Sequence, residues 1–256
     1  MHFSDILDFN LFTENAMKTV IAETYRPFEQ FIKSIPSLFR RDEGKVIYDK
    51  RNQIRRFEHK GLVFVAKRYK RVNFIQQIVY TFFRKTKGER AFRFPELYRQ
   101  RGVSTPREVA FIECYELGLF TVCYFVSEEV TRREVFQELV DVKDFDHELA
   151  RAVVRQIVYM HSKGILHGDL NLSNFLYEKS PDGKYHFTLI DINRSHFTNG
   201  WPSDEDCMKD LVRLVHRRDL YTFLISHYAE LRGWPVETTV SAALKRLDKF
   251  EHRIFK

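Results

Sequence analysis

His167, Asp169 and Asn174 stand at the spacing H-x-D-x-x-x-x-N within Ile165-Leu166-His167-Gly168-Asp169-Leu170-Asn171-Leu172-Ser173-Asn174, and Asp191 follows inside Leu189-Ile190-Asp191-Ile192-Asn193. These residue types in this order suit phosphoryl transfer. An alcohol attacking a terminal phosphate is helped by a carboxylate that accepts its proton and aims its oxygen, which is the role expected of Asp169. A nucleotide arrives with several negative charges, so a divalent cation must bridge its phosphates, and Mg²⁺ takes hard oxygen ligands such as an amide carbonyl and a carboxylate. Asn174 and Asp191 are the residues expected to supply them.

Such groups work only when rigid elements hold them. Leu149, Val153, Ile157 and Met160, with Ala150, Val154 and Val158, form one broad apolar face of a helix that ends at Lys163-Gly164 and delivers the loop. Beyond it, Phe175-Leu176-Tyr177 and residues 185–190 flank the turn Ser180-Pro181-Asp182-Gly183. That pattern predicts a hairpin aiming Asp191 back toward Asp169 and Asn174. The next helix is expected from near Asp206, carrying Met208, Leu211 and Val215; Asp210 on it reads either as a buttress of the loop or as a solvated residue. Only a short connection without A-P-E separates Asp191 from this helix. Protein kinases build a platform for an extended peptide there, so its brevity favours a bulkier, non-peptide acceptor.

The first half of the chain is β-prone. Residues 46–48, 54–57 and 62–66, then 109–113 and 119–126, predict a five-stranded antiparallel sheet. The third run ends Val65-Ala66-Lys67, and Lys67 is expected to reach nucleotide phosphates, whereas Lys70 and Arg71 follow after the run has ended. The first turn lacks glycine and offers Lys50, Arg51 and Asn52 to a phosphate. Glu89 and Glu96 both qualify as the partner of Lys67; Glu89 is preferred because Pro95 breaks the helix before Glu96. At Ser127-Glu128-Glu129-Val130 the backbone of Glu128 and Glu129 is expected to hold adenine. Earlier, Phe28, Phe31, Ile32 and Ile35 have helical spacing until Pro36 stops it. Phe74, Ile75, Ile78, Val79, Phe82 and Phe83 make an amphipathic helix with basic ends, facing an anionic acceptor, a membrane or solvent. The expected fold is α+β and bilobal: a helical extension over 1–41, a sheet lobe over 42–127 and a mainly helical lobe over 128–256.

At 256 residues, with 44% hydrophobic and 30% charged residues, the chain is long enough for a full core and is neither disordered nor fibrous. A net charge of +7 favours acidic partners. The aromatic residues read as core, so nucleic acid is not expected among those partners. Cys114, Cys123 and Cys207 have no metal spacing and read as reduced thiols of a cytoplasmic protein, acting as small hydrophobes. The start, Met1-His2-Phe3-Ser4-Asp5, lacks a signal peptide, and no apolar run is long enough to span a membrane.

Together with Arg51-Asn52, Val65-Ala66-Lys67, Lys87-Gly88-Glu89-Arg90-Ala91-Phe92 and Gly102-Val103-Ser104-Thr105-Pro106, the two motifs around Asp169 and Asp191 resemble the lipopolysaccharide core kinases, which include the Kdo and heptose kinases and have a protein-kinase-like fold. The resemblance covers residues 44 to 215. It implies transfer of the γ-phosphate of ATP to a sugar hydroxyl of the lipopolysaccharide inner core. Lys67 would bind phosphates, Asp169 would be the base, and Asn174 and Asp191 would hold Mg²⁺. It further implies a nucleotide and an anionic glycolipid or sugar as partners, and a peripheral position at the inner face of the inner membrane. Gly168, where many protein kinases have Arg, and Ile192-Asn193, in place of Phe-Gly, depart from the protein-kinase pattern. Two other readings are a small atypical protein kinase and a non-catalytic pseudokinase; the intact Lys67, Asp169, Asn174 and Asp191 argue against the second.

Overall fold

Residues 16–254 are described by the computed structural model, so the opening of the expected N-terminal helical extension lies outside the described residues. The chain divides into two compact units. The first holds the chain up to Pro95 with Pro106–Val130, and the second holds Glu96–Thr105 with the chain from Thr131 onward.

The first unit is built on an antiparallel sheet of strands β1 (Met17–Ile21), β2 (Lys45–Asp49), β3 (Gln53–His59), β4 (Leu62–Arg68), β5 (Glu108–Glu116) and β6 (Leu119–Glu128), in the order β1-β5-β6-β4-β3-β2. The five expected strands are present. The sixth, β1, corrects the expectation of a purely helical segment before residue 42. It pairs with β5 from Met17 opposite Cys114 to Ile21 opposite Ala110, and Lys18 Nζ lies 3.3 Å from Glu113. Five residues carry too little alternation to announce a strand, and the partner that stabilises this one lies far downstream.

Helix α1 (Glu29–Arg40) covers one face of the sheet and runs straight through Pro36, where the spacing predicts a stop. Proline forfeits one backbone hydrogen bond there, but Ile32, Ile35, Pro36 and Phe39 are all buried. Phe39 packs 5.3 Å from Tyr124 and 6.0 Å from Phe57, so burial of this face outweighs the lost bond. Phe57, Phe64, Ala66 and Val126 belong to the same core. Strand alternation then turns Lys67 to the opposite face of the sheet. Helix α2 (Phe74–Phe82) starts on the Asn73 side chain, which accepts from Gln76 N at 2.9 Å. Helix α3 (Lys87–Gln100) continues through Pro95, so the break expected before Glu96 does not occur.

The second unit is mainly helical: α4 (Val135–Leu139), α5 (His147–Ser162), α6 (Asp204–Leu211), α7 (Arg218–Arg232) and α8 (Val236–Ile254). Asp146 caps α5 by accepting from Glu148 N and Leu149 N. The apolar face predicted for this helix is its buried face: Leu149, Val153, Ile157 and Met160 are at most 1% exposed. Short strands complete the unit: β7 (Arg133–Glu134) pairs with β9 (Phe175–Lys179), β9 pairs with β10 (Tyr185–Leu189), and β8 (Ile165–Leu166) pairs with β11 (His196–Phe197).

All three cysteines are free; Cys123 and Cys207 are buried and Cys114 is half-buried. Burial pushes the Cys114 thiol up to about 11 and that of Cys123 to about 12, which suits small apolar side chains. Among the described residues no helix is long and apolar enough to cross a membrane.

Candidate active site

The loop after β8 brings the chemical residues of the second unit together. In the β9–β10 hairpin Leu189 stands opposite Phe175, and Ile190 N then donates to Asn174 O at 3.0 Å. This register sets Asn174 opposite Ile190, the residue before Asp191, at the end of the hairpin that the turn chemistry predicts. The Asn174 side-chain nitrogen donates to the carbonyl of Asp169 at 2.8 Å. With that nitrogen committed, the amide oxygen is the atom Asn174 has left to offer a cation. Asp191 sits in the left-handed region at φ 58 and its carboxylate accepts from the Asn193 side chain. Among the described residues no group of three or more His, Cys, Asp or Glu is arranged to hold a metal. One amide oxygen and one carboxylate nevertheless fit Mg²⁺, which keeps waters and takes further oxygens from substrate phosphates.

Asp210 is the buttress of this loop. It is 5% exposed, and its two carboxylate oxygens accept from His167 N at 2.8 Å and Gly168 N at 2.7 Å. On its far side His161 Nε2 lies 3.3 Å away, while His161 Nδ1 meets the Tyr228 hydroxyl at 2.8 Å. Burial by itself would raise the Asp210 carboxyl; the bond and charge of His161 outweigh it and hold the group below the usual carboxylate range. His161 is shifted the other way: burial opposes its charge, yet the Asp210 contact prevails and raises it. His167 Nε2 reaches Ile190 O at 3.1 Å, so the histidine of the motif ties the loop to the strand that carries Asp191. Its Nδ1 is buried without a partner.

Gly168 has a steric reason to be glycine. Its φ is +75, and a Cβ there would come within 2.3 Å of the Arg194 carbonyl oxygen. Gly168→Ala is therefore expected to cost about 1–3 kcal/mol in denaturant unfolding and to disturb the loop; a variant of wild-type stability would show that the backbone can relax.

Two guanidinium groups close on the carboxylate of Asp169. Arg194 Nη1 lies 3.2 Å from Oδ2, and Arg213 Nη1 donates to Oδ1 at 3.1 Å. They fix the rotamer of the expected base and place two positive charges beside it. Arg194 directly follows the motif of Asp191, but nothing local marks Arg213, which follows the end of α6 and lies 44 residues after Asp169. The segment between Asp191 and α6 is short, as expected, and β11 lays it along β8.

The remaining expected residues lie in the first unit. Lys67 is half-buried on β4, its ammonium 5.3 Å from the centre of the Tyr69 ring. Glu89 is buried near the start of α3, where its N–H donates to Thr86 Oγ1 at 3.1 Å and its carboxylate accepts from Arg93 at 2.7 Å. Arg51 is exposed in the β2–β3 turn, and Asn52 Oδ1 accepts from Lys70 N at 3.2 Å, a bond that orders this turn. The Glu128 carboxylate accepts from the Tyr25 hydroxyl and that of Glu129 accepts from Arg56 at 2.7 Å. Their backbone N–H groups donate to Arg107 O and Val63 O. Both donors are thus committed within the unit, and sequence alone carries no sign of that.

A serine/threonine-protein kinase, RCK2 of Saccharomyces cerevisiae, is 35% identical over 74 residues, which are 27% of this chain and 12% of that protein. The EKC/KEOPS complex subunit Tp53rkb of Mus musculus is 29% identical over 141 residues, 47% of this chain and 56% of that protein. The chain thus spans little more than half the length of these curated relatives at most. A solved structure of WaaP in complex with acyl carrier protein superposes with a TM-score of 0.59 at 17% identity, covering 93% of this chain and all of that one, which is a likeness of fold. Residues 42–231, well over half of the chain, match the family model described as the lipopolysaccharide kinase (Kdo/WaaP) family. The chain that holds Asp169, Asn174 and Asp191 in this geometry is therefore a member of the lipopolysaccharide kinase (Kdo/WaaP) family.

Proposed function

We propose that the protein transfers the γ-phosphate of ATP to a hydroxyl of a lipopolysaccharide inner-core sugar, a Kdo or a heptose. The observation that carries this reading is the cluster of Asp169, Asn174 and Asp191 on one hydrogen-bonded loop and hairpin, inside the region matched by the family. In the reaction the acceptor oxygen forms a bond to the γ-phosphorus as the bond to the β-bridging oxygen of ATP breaks. ADP leaves with that electron pair, and Asp169 accepts the hydroxyl proton. Mg²⁺, when bound, neutralises phosphate charge, and Asn174 and Asp191 are the residues that would hold it. Lys67 is the phosphate-binding lysine of this reading, with Glu89 as its partner. The enzyme would work on an anionic glycolipid from the cytoplasmic side of the inner membrane.

Asp191→Ala is expected to weaken Mg²⁺-dependent nucleotide binding while leaving Mg²⁺-independent binding near the wild-type value. Equal MgATP affinity in the two proteins counts against the metal role. The substrate class is tested with labelled MgATP, dephosphorylated core glycolipid and a protein extract offered in parallel, with the Asp169→Ala protein as blank. Label on the glycolipid alone is the expected result. Label on protein alone supports a protein kinase, the reading favoured by the short match to a serine/threonine-protein kinase. MgATP binding with no transfer to either would leave a binding module.

A further inference from the structure

Ile75, Ile78, Val79 and Phe82 recur on α2 at the i, i+3, i+4, i+7 spacing that normally marks the face a helix buries. Here the two ends of that face point outward, while Ile78 and Val79 between them are half-buried. Ile75 is 72% exposed and Phe82 67%, Phe74 before them is 65% exposed and Phe83 after them 80%, and no residue of α2 is buried. The helix is attached to its unit by its other side: Thr81 Oγ1 accepts from Phe120 N at 3.0 Å, and the Tyr80 ring meets Phe120 edge-on at 5.6 Å. Four large apolar side chains on so short a helix and its C-cap, with no cover in the described chain, are far from the ordinary scatter of surface hydrophobics.

Charge identifies what fits there. Residues 68–93 carry eight Lys and Arg against the single Glu89, an excess of seven, while the whole chain carries +7. The rest of the molecule therefore balances, and its entire net charge lies in the stretch around α2. Lys70 and Arg71 precede the helix, Arg84 and Lys85 follow it, and all four are exposed. Glu116 pairs with Arg71, and Glu89 stands 3.8 Å from Lys85 and 2.7 Å from Arg93, which leaves the excess in place. An apolar face rimmed by cations matches a bilayer surface with anionic headgroups: the rings enter the acyl boundary and the cations meet the phosphates.

We infer that α2 is a membrane-docking helix that seats the protein on an anionic lipid surface through Phe74, Ile75, Phe82 and Phe83. The inference is independent of which acceptor is phosphorylated, because docking is read without turnover. The test is sedimentation of the full chain with vesicles of phosphatidylglycerol and phosphatidylcholine, beside vesicles of phosphatidylcholine alone, for wild type and for the double variant Phe82→Glu, Phe83→Glu. Both side chains are exposed, so the variant is expected to keep the wild-type melting curve. The expected result is binding to the anionic vesicles alone, weakened by salt and at least about tenfold weaker in the variant. A second variant, Arg84→Ser with Lys85→Ser, should bind more weakly and lose part of the salt dependence. Four outcomes overturn the inference: equal binding to neutral vesicles, equal binding by the Phe82→Glu, Phe83→Glu variant, self-association abolished by that variant without vesicle binding, or capture of an acyl carrier protein through this face without vesicle binding.

Discussion

Asp169→Ala is expected to lower turnover by about 10²–10⁴-fold while nucleotide affinity stays close to that of the wild type. The asymmetry follows from the structure. The backbone carbonyl of Asp169 holds the Asn174 amide, and that bond survives truncation of the side chain. What disappears is the carboxylate proposed to take the hydroxyl proton, together with the acceptor of Arg194 and Arg213. Single-turnover transfer and a nucleotide titration on the same preparations check both halves. Turnover at the wild-type level removes Asp169 as the base. Lost nucleotide binding shows instead that the two released arginines disorder the loop. Arg213→Ala separates these cases, since it keeps the Asp169 carboxylate and withdraws only one of its restraints.

Replacement of Asp210 by Ala should be the most damaging change to stability, about 3–5 kcal/mol. It strands the N–H groups of His167 and Gly168 and leaves His161 without its buried counter-charge. Turnover should fall with it, because the loop carrying Asp169 loses the two bonds that fix its start. The pH dependence gives an independent sign. The Asp210 carboxyl is lower in the folded chain than in the unfolded one, so its contribution is present above the unfolded value of about 3.9 and is lost as pH falls through the depressed folded value. His161 is raised, so its contribution is complete below the unfolded value of about 6.5 and is lost as pH rises through the raised folded value. Wild-type stability should therefore fall on both sides of this window, and Asp210→Ala should flatten both slopes. A variant that unfolds with unchanged pH dependence would show that the pair does not supply it.

Local pattern made the hairpin, the helix that feeds the loop and the spacing of His167, Asp169, Asn174 and Asp191 legible in the sequence. Each of these rests on contacts between near neighbours: the turn at Pro181-Asp182-Gly183, the apolar face of α5, and a ladder whose register a short turn enforces. The same is true of the five strands that alternate strongly enough to be read. Only the tertiary structure decided four other matters, and for one physical reason, that the energy involved comes from residues distant in sequence. β1 exists because β5 supplies its hydrogen bonds, and α1 passes Pro36 because the face around it is buried against Phe57 and Tyr124. Asp210 is a buttress because the loop donors and His161 converge on it across more than forty residues, and Arg213 reaches Asp169 over a similar separation. A sequence lists these carboxylates and guanidinium groups with equal weight; only packing excludes water from some of them and so decides which interactions are strong.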